Sequence, residues 1–321
     1  MRIGSMLLPF VFLCAGACAQ SVISAHSGVV HYIEGDVAID GSVIQPKFGE
    51  FPDLKNGQVL ATEEGRAEVL LTPGVFLRLA ENSSVRMVSN TLSDTQLQVI
   101  SGSALIEAGE LLPDNSITIE CAGVRIALPK KGLYGVDAAN SKLRVFDGQA
   151  IATLGNQQIA VHKSHEIALG ETLADVKFDA KETDPFYRWN VRRAEYIAAA
   201  NVTAAHIESN SNLRSGYAAG SGGAWNWNPY FGMFTFLPAS GVYNSPFGSV
   251  FYSPGTVDSI FFSPVYISPV YLGPPSLGSR PSGSGGGGFP GASAGAGASS
   301  GGGGFPGGRP APNARAVGAR R

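Results

Sequence analysis

Apolar and polar positions alternate in short runs from about Gly28 to Gly170, each run four to eight residues long and closed by Gly, Asn or Asp. A period of two is the mark of a strand with one buried face. The runs begin with Val29–Glu34 and Asp36–Ile39 around Gly35, closed by the tight-turn pair Asp40-Gly41. Gln58–Thr62, Arg66–Thr72 and Val75–Leu79 follow, separated by Glu63-Glu64-Gly65 and Pro73-Gly74. Val85–Val88, Leu97–Ile100, Ala104–Glu107, Ile117–Cys121 and Val124–Leu128 continue the series. Leu143–Phe146, Ala150–Thr153, Ile159–His162 and Glu166–Leu169 complete it. So many short strands at this spacing predict a mainly β domain over residues 20–175, as a β-sandwich, a barrel or a short β-solenoid.

The period then changes. Phe186, Trp189, Arg193, Tyr196, Ile197, Ala200, Ala204 and Ile207 recur at helical spacing, which predicts one amphipathic α-helix within residues 180–214. Asp184 suits its N-cap and Pro185 its first turn. The stripe is read as packing on the β-domain or a partner helix, and Arg188, Arg192 and Arg193 as a solvated face. Residues 215–280 form an aromatic and Pro-rich segment in which steps such as Tyr252-Ser-Pro254 and Phe262-Ser-Pro264 recur without a fixed period. Prolines at this density favour extended chain. Residues 281–321 repeat Gly-Gly-Gly-Gly-Phe-Pro-Gly at 285 and 301, and are read as a disordered Gly-rich tail. The fold class is thus mainly β, with one α-helix and an irregular Gly/Pro/aromatic-rich tail.

Charge and cysteine content sharpen the picture. Residues 1–19 have the form of a signal peptide: Arg2, the apolar run Met6–Cys14, and Ala17-Cys18-Ala19 before the expected cleavage. Lipidation of Cys18 is the rival reading, although Ala15 stands where a lipobox has Leu. No later stretch reaches the ~18 apolar residues of a membrane helix. The expected product is exported to the periplasm or cell surface. Of three cysteines only Cys121 lies beyond the leader, so the mature chain forms no internal disulfide. Cys121 continues the alternation of Ile117 and Ile119, as a small buried hydrophobe does. From Gln20 to Arg214 there are 24 acidic and 17 basic side chains; beyond Arg214, Asp258 stands against five arginines. No Lys/Arg stripe falls on one element, which excludes a nucleic-acid footprint.

Several of these runs, taken in order, resemble the FecR-type extracytoplasmic domain of bacteria. They are Ser27–Gly41, then Leu54–Leu71 with Gly57, Thr62 and Gly65, then Pro73–Leu79 followed by Glu81-Asn82-Ser83. Ser101–Ile106 and Phe146–Ile151 fit its later Gly-centred hairpins, and the similarity spans residues 27 to 170. FecR signalling proteins carry a sigma-factor-binding segment and a membrane helix ahead of this domain. Here a leader alone stands there, so the resemblance implies a stand-alone exported form without direct anti-sigma activity. Leu133, in Gly132-Leu133-Tyr134, replaces the family's usual Thr.

Candidate chemistry is sparse. There is no Gly-Lys-Ser/Thr phosphate loop and no His-Glu-x-x-His pair. His162 and His165 are three apart at a turn between extended segments, which does not favour a shared metal. No cofactor, metal or catalytic residue is expected, and a hydrolase would need a pair of carboxylates with shifted pKa values in a cleft. Trp225, Trp227, Tyr230 and Phe231 are the candidate partner contacts, since aromatic faces stack on sugars and settle at interfaces. The expected function is non-catalytic: recognition of an unidentified envelope protein, with a possible signalling role. The alternative is a structural or adhesive surface protein whose aromatic and Gly-rich segments hold an envelope partner or cell-wall glycan.

Overall fold

A computed structural model describes residues 27–262 except Pro46, Glu171, Glu182 and 211–222. Residues 1–26, with the expected leader and Cys18, and residues 263–321 lie outside the described residues. The first strands are β1 (Val29–Ile39), β2 (Ser42–Val43), β3 (Val59–Leu70), β4 (Val75–Leu79), β5 (Ser84–Asn90), β6 (Asp94–Ser101) and β7 (Ser103–Ala108). Then come β8 (Ser116–Cys121), β9 (Val124–Ala127), β10 (Gly132–Asp137), β11 (Lys142–Asp147), β12 (Gln149–Leu154), β13 (Gln157–His162), β14 (His165–Ala168) and β15 (Asp175–Lys177). All fifteen belong to one sheet, ordered β13-β12-β9-β8-β6-β5-β3-β4-β7-β10-β11-β14-β15, with β1 on β3 and β2 on β1. β6 and β8 run parallel while every other pair is antiparallel. The sheet curls until β13 lies against β11 and β14, making it barrel-like and nearly closed.

Two pairs of predicted strands prove to be single long ones. β1 runs through Gly35 and β3 through Glu63–Gly65, and the two stay paired from Val29↔Leu70 to Ile39↔Leu60. The reason is a close crossing of two glycines: Gly35 faces Gly65, with a register shift just beyond. A Cβ on Gly65 would meet backbone atoms Glu34 O at 2.5 Å and Asp36 N at 2.6 Å. The irregularity therefore bends the pair instead of ending it. β10 was not expected, because Gly132 and Gly135 interrupt its alternation. Gly132 is required there, since a Cβ would lie 2.2 Å from Asp147 O.

Alternation through β3, β4 and β7 sorts side chains onto two faces. Ala67, Val69, Leu71, Val75, Leu77, Leu79, Ala104, Ile106 and Ala108 enter the main core inside the curled sheet, which Cys121 and Tyr134 share. Burial pushes the Cys121 thiol up to about 11, with the charge of Asp137 adding to it, so the sulfur is held as a neutral thiol. Leu70 and Phe76 point the other way. They form a second core with Ile197, Ala198 and Ala200 and with Trp225, Met233, Phe236 and Phe251.

The helix α1 spans Pro185–Asn210, and Asp184 caps it by accepting the Tyr187 N–H at 2.6 Å. Within the aromatic and Pro-rich segment the chain is extended as expected, and residues 224–252 pair it into two hairpins. These are β16 (Ala224–Asn228) with β17 (Met233–Leu237), and β18 (Val242–Asn244) with β19 (Val250–Tyr252). A short α2 (Pro254–Val257) and a π-helical turn (Asp258–Phe262) follow. The alanines of α1 let the hairpins approach its backbone. Thr235 Oγ1 donates to Ile197 O and Asn228 Nδ2 to Ala200 O, while Asn201 donates to Phe236 O and Tyr252 O and accepts the Tyr252 N–H. No helix among the described residues is long and apolar enough to cross a membrane.

The glycine crossing makes a quantitative expectation. Gly65→Ala should cost about 2–3 kcal/mol through backbone overlap, whereas Gly41→Ala, at φ +77 with open space around it, should cost about 1 kcal/mol. Urea unfolding of both variants tests this; equal losses would refute the close crossing.

Candidate functional site

The second face of the sheet carries charge at its centre. Glu68 on β3 stands directly opposite Arg78 on β4, and Glu107 on β7 opposite Phe76. Arg78 Nε donates to Glu68 Oε2 at 2.7 Å and its Nη1 to Glu107 Oε2 at 2.9 Å, with both ion pairs fully buried. From α1, Arg193 Nη2 reaches Glu68 Oε1 at 2.8 Å. Arg193 was grouped with Arg188 and Arg192 as a solvated face; it turns inward because Glu68 waits beneath it and Tyr32 lies 3.9 Å under its guanidinium. Arg188 and Arg192 are exposed. From the hairpins, Tyr243 and Ser245 hydroxyls donate to Glu107 Oε1.

His31 on β1 joins both sides. Its Nε2 accepts the Phe234 N–H at 3.0 Å, so the proton sits on Nδ1 and is donated to Glu68 Oε1 at 2.9 Å. Burial lowers the His31 pKa, against the pull of Glu68, and the ring is neutral. Burial alone would raise the Glu68 carboxyl, but the Arg193 and Arg78 charges outweigh it and hold it well below the usual carboxylate range. Arg78 is likewise raised: burial opposes its charge, and Glu68 and Glu107 overcome that opposition. The cluster closes as two carboxylates, two guanidiniums and a neutral imidazole. Glu68, ionised and enclosed between cations, is unsuited to general acid work.

Above this floor lies an aromatic cleft of about 360 Å³. Its walls are the start of β1, residues 44–45 and 47–52 of the following loop, Arg193 and Tyr196 of α1, Phe231 and Gly232 of the turn between β16 and β17, and Met233 of β17. Phe51 anchors the loop, with its ring 5.2 Å from Phe234, 5.5 Å from His31 and 5.9 Å from Trp227. Phe231 meets Tyr196 edge-on at 5.4 Å. Phe48 and Tyr230 are 81% and 78% exposed, values that apolar packing does not account for.

The candidate contacts of the sequence divide here. Trp225 is buried in the second core, edge-on to Phe76 at 5.0 Å, with its indole N–H directed to Leu71 O. Trp227 sits between Phe48 and Phe51 at the cleft's edge, Phe231 is in its wall, and Tyr230 stands out in solvent. Phe48 and Phe51 were not singled out from the sequence; their signal is Lys47-Phe48-Gly49-Glu50-Phe51-Pro52, two aromatics in a turn-rich loop. His165 pairs with Asp175 at 2.8 Å. Among the described residues no group of three or more His, Cys, Asp and Glu side chains is placed to hold a metal.

No protein-family model matches the chain, and no curated protein matches it. Among solved structures, two crystal structures of a putative anti-sigma factor from Parabacteroides distasonis ATCC 8503 are similar in part. Both give a TM-score of 0.34, at 12% and 11% identity, covering 40% and 43% of this chain. This chain spans 62% of the length of the first and 72% of the second. A likeness at that level defines neither family nor partner.

The buried cluster fixes a pH response. The unfolded chain protonates His31 near its ordinary 6.5, whereas the folded protein does so only at lower pH. Stability should therefore fall as pH drops below about 6.5, with a slope approaching 1.4 kcal/mol per unit. Loss of the Glu68 contribution should follow below its ordinary 4.5. Urea unfolding from pH 7.5 to 5 should show the first decline, and His31→Gln should flatten it; an unchanged slope in that variant would sink the assignment. Arg78→Leu, which strands two buried carboxylates, should cost about 3–5 kcal/mol by the same measurement.

Proposed function

We propose that this chain is a non-catalytic, exported FecR-like domain protein that recognises a protein partner in the cell envelope through the aromatic cleft. Support for the FecR-like reading is the order of Gly-centred motifs along residues 27–170, on a chain that is mainly β. The observation that carries the binding site is the pair of exposed rings, Phe48 and Tyr230, beside a cleft walled by Phe51, Phe231 and Tyr196. Aromatic anchors around a concave apolar site are what protein recognition uses. The adhesive alternative draws less support, because Trp225, Phe236 and Phe251 are spent on the second core. Export rests on the form of residues 1–19 and is part of the same proposal.

The test is in-cell photo-crosslinking from position 48 or 230, with position 88 as control, since Val88 is an exposed apolar residue on β5. One envelope protein captured from 48 and 230 and not from 88 supports the reading. With the crosslinker at 48, Tyr230→Ser should lower that capture about tenfold, and with it at 230 Phe48→Ser should do the same, while stability changes by less than about 0.5 kcal/mol. Equal capture at 88, or capture of cell-wall material alone, would overturn it.

A further inference from the structure

The cleft opens where one edge of β1 is left unpaired. β3 takes the other edge along the whole strand. On the cleft side, Leu54 N–H donates to Gly28 O and Val30 N–H to Pro52 O, both at 2.8 Å. Farther along, Ile44 N–H donates to Val37 O, and Ala38 and Ile39 pair with β2. Between these anchors residues 47–52 swing away. Among the described residues no strand lies beside residues 31–36 on this edge. Register shifts against β3 fall at both ends of this gap, between Val30 and Tyr32 and between Gly35 and Val37, so its regular part is Tyr32–Gly35, roughly 13 Å at about 3.3 Å per residue. Backbone N–H and C=O groups along such an edge are a template for another strand.

The two ends of the gap differ in chemistry. At the Val30 end are Phe48, Phe51, Phe231 and Tyr196. At the Val37 end Glu34 and Asp36 are exposed, with Glu63 and Glu64 exposed on β3 across the Gly35–Gly65 crossing. Arg66 is the cation among them, shared between Glu34 at 3.7 Å and Glu81 at 2.6 Å. The field at this end is acidic.

We propose that the open edge of β1 between Val30 and Val37 takes an extended peptide segment of the partner as an added strand. That segment is apolar or aromatic at the Phe48 end and basic at the Glu34–Asp36 end. Main-chain bonds to β1 hold it, the aromatic wall takes alternate side chains, and the carboxylates set its direction. The inference rests on the cleft being the recognition site.

The test uses the full chain and a fixed panel of fluorescein-labelled nonapeptides of alternating Val and Thr with one Tyr, ending in Lys-Lys or Glu-Glu. Anisotropy should show the Lys-ended peptides binding at least about tenfold tighter, and Asp36→Lys should narrow or reverse that preference. N-methylation of one alternate set of peptide amides should abolish binding, while methylation of the other set, facing away from β1, should leave it intact. Amide exchange should slow on binding at those amides of residues 32–36 that face away from β3. No binding up to about 1 mM, indifference to the end charge, or equal loss from both methylated sets would overturn the proposal. If crosslinking still places a protein on the cleft, only strand addition falls. If the peptides bind as expected and crosslinking captures no protein, it is the recognition reading that fails.

Discussion

The ion pairs that Arg78 makes with Glu68 and Glu107 are the constraint around which the rest is arranged. A guanidinium and two carboxylates on one face of a sheet are unremarkable in water and costly when dry. Here they are dry, so each element laid over them must bring polar atoms of its own. Arg193 comes from α1, the Tyr243 and Ser245 hydroxyls from the β18–β19 region, and the Phe234 amide, through His31, from β17. The cover is thereby fixed in register as well as in place. Leu70, Phe76, Trp225 and Phe236 supply apolar area, which is non-directional; the charges specify which atom meets which.

This arrangement explains how much of the molecule was legible beforehand. Period-two alternation closed by Gly, Asp and Asn marks β4, β8 and β12 almost residue by residue, because their inward positions are aliphatic. The same rule misleads in β3 and β4. Glu68 and Arg78 occupy the alternate positions at which a solvent-facing residue belongs, and their burial comes from a segment some 150 residues farther on, as the Trp225–Leu71 bond across 154 positions illustrates. Local pattern carries no information at that range. Phe76, an aromatic on the supposedly wet face, was the available hint that something covers it. The helix was legible from its stripe, and so in part was Arg193, which stands on that stripe four residues after Trp189 while Arg188 and Arg192 do not; grouping the three as one solvated face missed it.

The candidate site was legible in part for a similar reason. Trp227, Tyr230 and Phe231 advertise themselves by density of aromatic residues, and so does Trp225, which packs inward. Density cannot tell a ring that fills a core from one that frames an opening. Phe48 and Phe51 sit in a short loop with no periodicity to flag them. Their role follows from β1 having an edge that the loop leaves uncovered, and strand edges belong to topology. Nothing in the residues of β1 distinguishes its paired side from its open one.

His31 and Phe234 are bonded across 203 positions of chain. A chain delivered N-terminus first, at roughly 5–20 residues per second, leaves the second face of the sheet bare for on the order of ten seconds or more. An all-aliphatic face left waiting that long would be adhesive to its neighbours. A face centred on Glu68, Arg78 and Glu107 is well hydrated until its cover arrives. The charges that lock the finished protein thus also act as a solubilising placeholder during its assembly.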